Sequence, residues 1–423
     1  MKKLSRRIMA LMLCVMMLAA VLTGCAEKTP AAETNTNDNA AATPAASGPT
    51  TLKITMGLGE EEWKVMREDV FPSFEAANNV KIEAVQINAS DVPAQLEAMK
   101  RAGKTDIDLI TQDNMTLGIL VEKGLVEDLT AYESKIPSGV MPSMLEVGKF
   151  DGKLFFLPFR PNVEINFYNE TKFNEYGLKP PTNWDELLNV AKTFKEKEGI
   201  GRVLVKEALT GCTTVQLFEY IRQAGGDPLN MNDEGCVTAF TFLQKLHPYL
   251  SPDSLKSDWN LSNQFLATGS AYYGANWPFG VNVIVRDGGK KEIKAHEGFS
   301  GPVKRSKVLG GDVLGIPAGA PNKELAVKFM EHLMSKEVQE ILVSKLGWPS
   351  MRNDANGKVE EWQKPYFDVV TKALEVAEPR PNVPYWTEVD KALNGAYREI
   401  VLEGKDVKAT LDKYHETLEA AKK

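Results

Sequence analysis

The stretch TLKITMGLGEEEWKVMREDVFPSFEAANNVKIEAVQI, residues 51–87, decides the fold class. Leu52, Ile54 and Met56 alternate with polar residues, as Val80, Ile82 and Ala84 do, and a period of two marks a strand with one buried face. Between the two runs Val65, Met66, Val70 and Phe74 recur at helical spacing, which predicts a helix over 63–77 bent at Pro72. A second helix is expected at 92–101 and a third strand at DIDLIT, 106–111. Strand, helix, strand, helix, strand is the order of a parallel sheet covered by helices, so the chain is α/β.

The later helices carry clearer end signals. PPTNWDELLNVAKTFKEK has two prolines, then Thr182 and Asp185 as a T-x-x-D capping box. Behind it Trp184, Leu187, Leu188, Ala191 and Phe194 fall on one apolar stripe. NKELAVKFMEHLMSKEVQEILVSKLG predicts two helices with a break at Ser335 and an end before Gly347. A last long helix over 388–402 would bury Val389, Ala392, Leu393, Ala396 and Ile400.

Upstream of residue 51 the composition changes. Lys2, Lys3, Arg6 and Arg7 precede an apolar run that ends at Leu22-Thr23-Gly24-Cys25. A basic head and an apolar stretch of about 15 residues, short of the ~20 a spanning helix needs, read as a secretory signal peptide. Its end resembles the lipobox of bacterial lipoproteins, which implies lipidation of Cys25 and removal of residues 1–25. Residues 26–50, AEKTPAAETNTNDNAAATPAASGPT, hold no large apolar side chain. They are expected to be a disordered tether with a reach of roughly 25–30 Å. The remaining 373 or so residues exceed what one core usually spans, so two lobes are expected.

The formal charge is −7. Loss of the four basic residues in the leader makes it about −11, a balance that disfavours nucleic acid and anionic lipid as partners. Beyond Cys14 and Cys25 only Cys212 and Cys236 remain. An extracytoplasmic setting permits a disulfide between them, and two separate buried thiols fit equally.

Signals for catalysis are absent. His247, His296, His332 and His415 lie far apart, and neither H-E-x-x-H nor G-x-S-x-G occurs. GKFDGK, residues 148–153, is one residue short of a phosphate loop and lacks its Ser/Thr. NMNDEG, residues 230–235, opens like a calcium loop, but its twelfth position is Thr241 rather than a bidentate glutamate. No metal and no cofactor is expected. What stands out is aromatic residues in turn-rich places: Trp277 in YYGANWPFG, Tyr385 and Trp386 in PRPNVPYWTE, and Trp63 after GEEE. An aromatic ring beside Asn, Asp, Glu and Arg suits a polyol, whose CH faces pack on the ring while its hydroxyls need donors and acceptors. The alternative is that each Trp fills a core. That reading is favoured for Trp184, Trp259, Trp348 and Trp362, and both stay open for Trp277 and Trp386.

Three stretches, in order, then carry a resemblance. FDGKLFFLPFRPNVEINFYNETKFNEYGLKPPTNWDELLNVAKTF, VLGGDVLGIPAGAPNKELAVKFMEHLMSKEVQEIL and PRPNVPYWTEVDKALNGAYREIVLEGKDVKATLDKYHETLE are similar to the extracellular solute-binding proteins of the maltose-binding type. The resemblance implies a two-lobed periplasmic-binding-protein fold of type II whose chain crosses between lobes near Phe159, Pro302 and Pro349. One lobe would comprise 51–158 and 303–348, the other 159–302 and 349–423. Pro158 and Pro161, bracketing Phe159-Arg160, suit a stiff connection at the first crossing.

By the same resemblance the ligand sits in the cleft. Glu61, Glu62 and Trp63 would come from the loop after the first strand, and Asp113 and Asn114 from the end of DLITQDN. The family usually places a Trp and an Asp there, so one stacking ring is missing. Arg160 and Asn162 would lie at the hinge, Asn276 and Trp277 opposite, Gly311 and Asp312 on the returning loop, with Tyr385 and Trp386 closing the set. The implied protein is a monomeric, lipid-anchored binding protein on the extracytoplasmic face of the bacterial cell membrane. It would take a carbohydrate, an oligosaccharide above all, and present it to the permease subunits of an ABC transporter without doing chemistry. A non-sugar solute, a sensor docking on a membrane histidine kinase, and a secreted hydrolase are the alternatives.

Overall fold

The computed structural model describes residues 48–87, 91–355 and 359–422. The expected leader, Cys25 and all but the last residues of the tether lie outside the described residues. Strand β1 (Thr50–Thr55) pairs in parallel with β2 (Val80–Ala84), Leu52 opposite Ile82, and with β3 (Leu109–Asp113). Leu52 and Ile54 are fully buried, as their alternation requires. The helix between β1 and β2 starts earlier than its apolar spacing suggests, at α1 (Glu60–Val65), and passes through a π turn (Met66–Val70) into α2 (Phe71–Asn78). Pro72 has no N–H to give to the turn behind it, and the Phe71 N–H reaches back to the Met66 carbonyl instead. After α3 (Val92–Ala102), β3 begins later than expected. The buried Asp108 carboxylate there accepts the backbone N–H groups of Lys53, at 2.8 Å, and Asn322, at 2.9 Å.

Two long strands join the halves of the molecule. β4 (Phe156–Val163) runs antiparallel to β8 (Lys307–Gly315) from Leu309 opposite Val163 to Gly315 opposite Phe156, with a register shift between Asp312 and Val313. Strands β5 (Ile165–Asn169), β6 (Tyr273–Asn276) and β7 (Ile293–His296) form a separate antiparallel sheet with β5 in the middle. β8 also pairs with β3 through Asp312–Gly315 and with the short β9 (Ala377–Pro379) through Lys307–Leu309.

The first core packs β1–β3 against α1, α2, α9 (Lys323–Leu333) and α10 (Lys336–Leu346), with Trp63, Phe71, Phe74 and Phe329 among its rings. The largest core of the other half gathers α4 (Trp184–Glu198), α5 (Gly211–Gln223), α6 (Glu234–Leu246), α12 (Trp386–Tyr397) and α13 (Val407–Ala421). Along β4 and β8 the packing passes from one core to another. Leu157 and Leu314 pack with the first core, Val308 with the other, and Val163 with a third group around β5.

Local signals in the later helices mostly meet the expectation. The stripe Trp184, Leu187, Leu188, Ala191, Phe194 is buried throughout. The cap is one residue further on than the T-x-x-D reading placed it: Asn183 accepts the Glu186 N–H at 3.0 Å, and the Glu186 carboxylate returns to the Thr182 N–H at 2.8 Å. Ser335 caps α10, and Gly347 ends it in the left-handed conformation. Cys212 and Cys236, on α5 and α6, are separate buried thiols, which closes the disulfide question left open above. Among the described residues no helix is long and apolar enough to cross a membrane.

Candidate functional site

The C-terminal end of β3, the middle of β4 and β8, and the loop after β1 all open onto one cavity of about 670 Å³. Its other wall comes from the start of α8 (Trp259–Thr268) and from the chain after β6, where a short turn of helix (Phe279–Val281) continues as a π helix (Asn282–Asp287). A volume of this size is that of an ordinary small-molecule site.

The wall built by the first core is charged, and Glu62, Asp113 and Asp312 on it are each paired with an arginine. Arg160 Nη1 donates to Glu62 Oε1 at 2.7 Å, and Nη2 donates to Asp312 Oδ2. The same guanidinium lies over the Trp348 ring, 4.5 Å from its centroid. Burial works against the Arg160 charge, but Asp312 and Glu62 outweigh it and raise the pKa. Burial pushes the Asp312 carboxyl above its ordinary range, Arg160 opposing and Asp113 reinforcing. Glu62 is held a second time by the Gly59 N–H at 2.8 Å. Asp113 accepts from Arg380 Nη2 at 2.8 Å and from the Met115 N–H at 2.9 Å.

The facing wall is aromatic. Trp259 and Trp277 meet at a tilt, ring centroids 6.4 Å apart, and Phe279 and Val283 continue the surface toward solvent. Asn276 holds the two indoles in place. Its Nδ2 donates to the Trp259 carbonyl and to Asn263 Oδ1, each at 2.6 Å, and its Oδ1 accepts the Trp277 N–H at 2.9 Å. Two glycines allow close approaches here, Gly310 to the aromatic wall and Gly311 to the neighbouring strand of its own wall. A Cβ on Gly310 would lie 2.4 Å from Trp277 Cη2, and one on Gly311, at φ +112°, would lie 1.9 Å from the Arg160 carbonyl oxygen.

Of the residues singled out by sequence, Glu62, Asp113, Arg160, Asn162, Trp277, Gly311 and Asp312 line this cavity. The others stand elsewhere. Trp63 is 2 % exposed and packs edge-on against Phe71 in the first core. Asn114 is buried, donating to the Leu309 carbonyl and accepting from Arg380. Asn276 lies behind the indoles. Trp386 stacks on Phe218 at 5.8 Å, and both it and Tyr385 pack on the helical core outside the cavity lining. The side chain of Glu61 lies outside the described residues. Sequence reasoning gave Trp259 and Trp348 to a core and passed over Arg380; all three line the cavity, and Trp348 also packs in the first core as expected. Trp259 had a usable signal in Asp258, which caps α8 and places the next residue on its first turn. Arg380 lies in the quoted PRPNVPYW, beside the aromatics that drew the attention.

Comparison with known proteins gives a consistent picture. Residues 70–367 match the family described as bacterial extracellular solute-binding protein. The galactooligosaccharide-binding protein of Bacillus subtilis is 23 % identical over 376 residues, covering 83 % of this chain and 85 % of its own. The spermidine/putrescine-binding periplasmic protein 1 of Haemophilus influenzae is 24 % identical over 343 residues, covering 80 % and 83 %. Maltose-bound MalE3 of T. maritima superimposes with a TM-score of 0.76 at 21 % identity, over 88 % of this chain and 99 % of that one, so the two-lobed fold is shared.

Proposed function

The chain belongs to the bacterial extracellular solute-binding proteins, a family of binding proteins rather than enzymes, and from that premise we propose that it captures a neutral carbohydrate, a short oligosaccharide, in the cavity between its two walls and delivers it to the permease of an ABC transporter. The observation that carries the ligand class is the pairing of one aromatic wall with a wall of compensated charges. Two indoles offer faces for sugar CH groups, while Glu62 and Asp312 on Arg160, and Asp113 on Arg380, supply donors and acceptors already engaged in ion pairs. The polyamine named in one relative would place ammonium groups on carboxylates, and Glu62, Asp113 and Asp312 each already face a guanidinium that weakens their pull on a further cation.

A thermal-shift panel of maltose, galactobiose, diacetylchitobiose and spermidine tests this reading. A sugar at 100 times its Kd should stabilise the protein by ~2.7 kcal/mol. A shift with spermidine alone would replace the carbohydrate reading with the polyamine one. The family is extracellular, so the working body lies outside the cytoplasm. Cys25 as a lipid anchor and a monomeric body on a flexible tether complete the proposal. Cys25→Ser should release the protein from the membrane fraction or leave its leader uncut. Normal processing with full membrane retention would sink the anchor.

Closure of the walls on ligand is the remaining element, since a small solute cannot touch both unless they approach. The radius of gyration of the tether-free body should therefore fall when a binding sugar is added, as read by small-angle scattering. Binding with unchanged scattering would place the ligand on one wall only.

A further inference from the structure

Between α11 (Lys364–Leu374) and α12 the chain makes a seven-residue strap, 377–383, that touches both halves of the molecule. β9 pairs with the Lys307 end of β8. The carbonyls of Glu378 and Pro379 accept from Arg222 on α5, at 3.1 and 2.7 Å. The next residues turn to the other half: Arg380 reaches Asp113 and Asn114, and Asn382 donates to the Val147 carbonyl at 3.2 Å.

Arg380 is an odd arginine to keep for stability alone. It is 2 % exposed, yet its buried Nε has no partner, and both of its acceptors are served by Nη2. A buried unpaired N–H and a desolvated charge both cost stability. What the arrangement secures is the orientation of Asp113. Oδ1 of that carboxylate takes two bonds, from Arg380 and from the Met115 N–H, while no described residue donates to Oδ2, and the side chain is 34 % exposed on the cavity wall. We propose that Arg380 is a positioning residue of the ligand site: it fixes Asp113 so that Oδ2 is the free acceptor for a ligand hydroxyl, and through the strap it ties that acceptor to the opposite half. The ligand hydroxyl rests on the carbohydrate reading; the hold on Asp113 does not.

The test has two arms on the full-length protein. In the first, without ligand, amide exchange is followed through residues 112–117 in wild type and in Arg380→Met. Exchange at Met115 should quicken tenfold or more, and by more than any fall in global stability accounts for, because its N–H loses a fixed acceptor while amides elsewhere keep theirs. Unchanged exchange at Met115, or a quickening no larger than that of the amides in β1, overturns the proposal whether or not any sugar binds. In the second arm the affinity for maltose or galactobiose, whichever shifts the wild type, should drop at least tenfold in Arg380→Met. In an Asp113→Asn background the same change should cost nothing further, since the effect runs through that carboxylate. Additive losses overturn it. If neither sugar binds wild type, the carbohydrate reading fails, and the exchange arm still decides Arg380.

Discussion

Glu219→Gln is expected to lower the unfolding free energy by about 3–5 kcal/mol, the usual effect of removing one partner from a buried ion pair. Lys307 is fully buried, and its Nζ bonds both oxygens of Glu219, at 2.9 and 3.1 Å, and Asn166 Oδ1 at 3.0 Å. Burial pushes the Glu219 carboxyl up while Lys307 opposes, so neither group is at ease without the other. Nearby the charge is also positive-averse. His296 is held neutral, its pKa brought down to about 3 by burial and then by Lys307 and Arg305. With the carboxylate gone, the ammonium keeps amide acceptors only. Lys307 opens β8, the strand that later supplies Gly311 and Asp312 to the cavity, so this pair anchors one end of the ligand wall. The double variant Lys307→Met/Glu219→Leu should recover most of the loss, because it removes both desolvated charges together. Denaturant unfolding of the three proteins decides it: a single variant that loses under about 1 kcal/mol means the lysine is not held as a charged pair.

What the sequence made legible follows from the range of the interaction concerned. Alternation in β1 and β2, the stripe on α4 and the cap at Ser335 are settled within a few residues, and the structure keeps each of them. The segments that would reach the cavity were placed by the resemblance to the solute-binding family, and of these the loop after β1 and the end of β3 also follow the rule that ligands gather at the C-terminal ends of parallel strands. Side-chain direction was not. Trp63 and Trp259 share a broad local setting, an indole near the start of a short helix with an acidic residue just before it. In α1 it is Glu62 that turns to the cavity, and one residue on, ~100° around the helix, Trp63 turns into the core. In α8 the indole itself faces the cavity. No local pattern fixes that rotation; the packing of each helix on its sheet does. Arg380 was hidden for a similar reason, because its partners Asp113 and Asn114 lie more than 260 positions away in the chain. The direction of the strap, and with it the placing of Tyr385 and Trp386 outside the cavity, depends on those long-range bonds.

The contrast between two tryptophans that looked alike in sequence gives the other large effect. Trp277→Ala should weaken sugar binding by about 2 kcal/mol or more, roughly thirtyfold, as loss of a buried aromatic anchor does. Trp386→Ala should leave affinity unchanged and lower stability instead, through the cavity it opens against Phe218. Trp277 is 8 % exposed, so part of its ring also belongs to the packing, wedged over Gly310 and against Trp259. Trp277→Ala will therefore cost stability too, and affinity must be measured well below the melting point. Trp277→Phe separates the two roles. A phenyl ring keeps a stacking face but is too short to bring the outer edge of the indole to Gly310, so affinity should fall less than in the alanine variant. Titration calorimetry with a sugar that binds wild type reads all three. Equal losses in Trp277→Ala and Trp386→Ala would extend the site to the start of α12. Normal binding by Trp277→Ala would reduce that indole to a core residue and remove the aromatic wall from the argument for a carbohydrate.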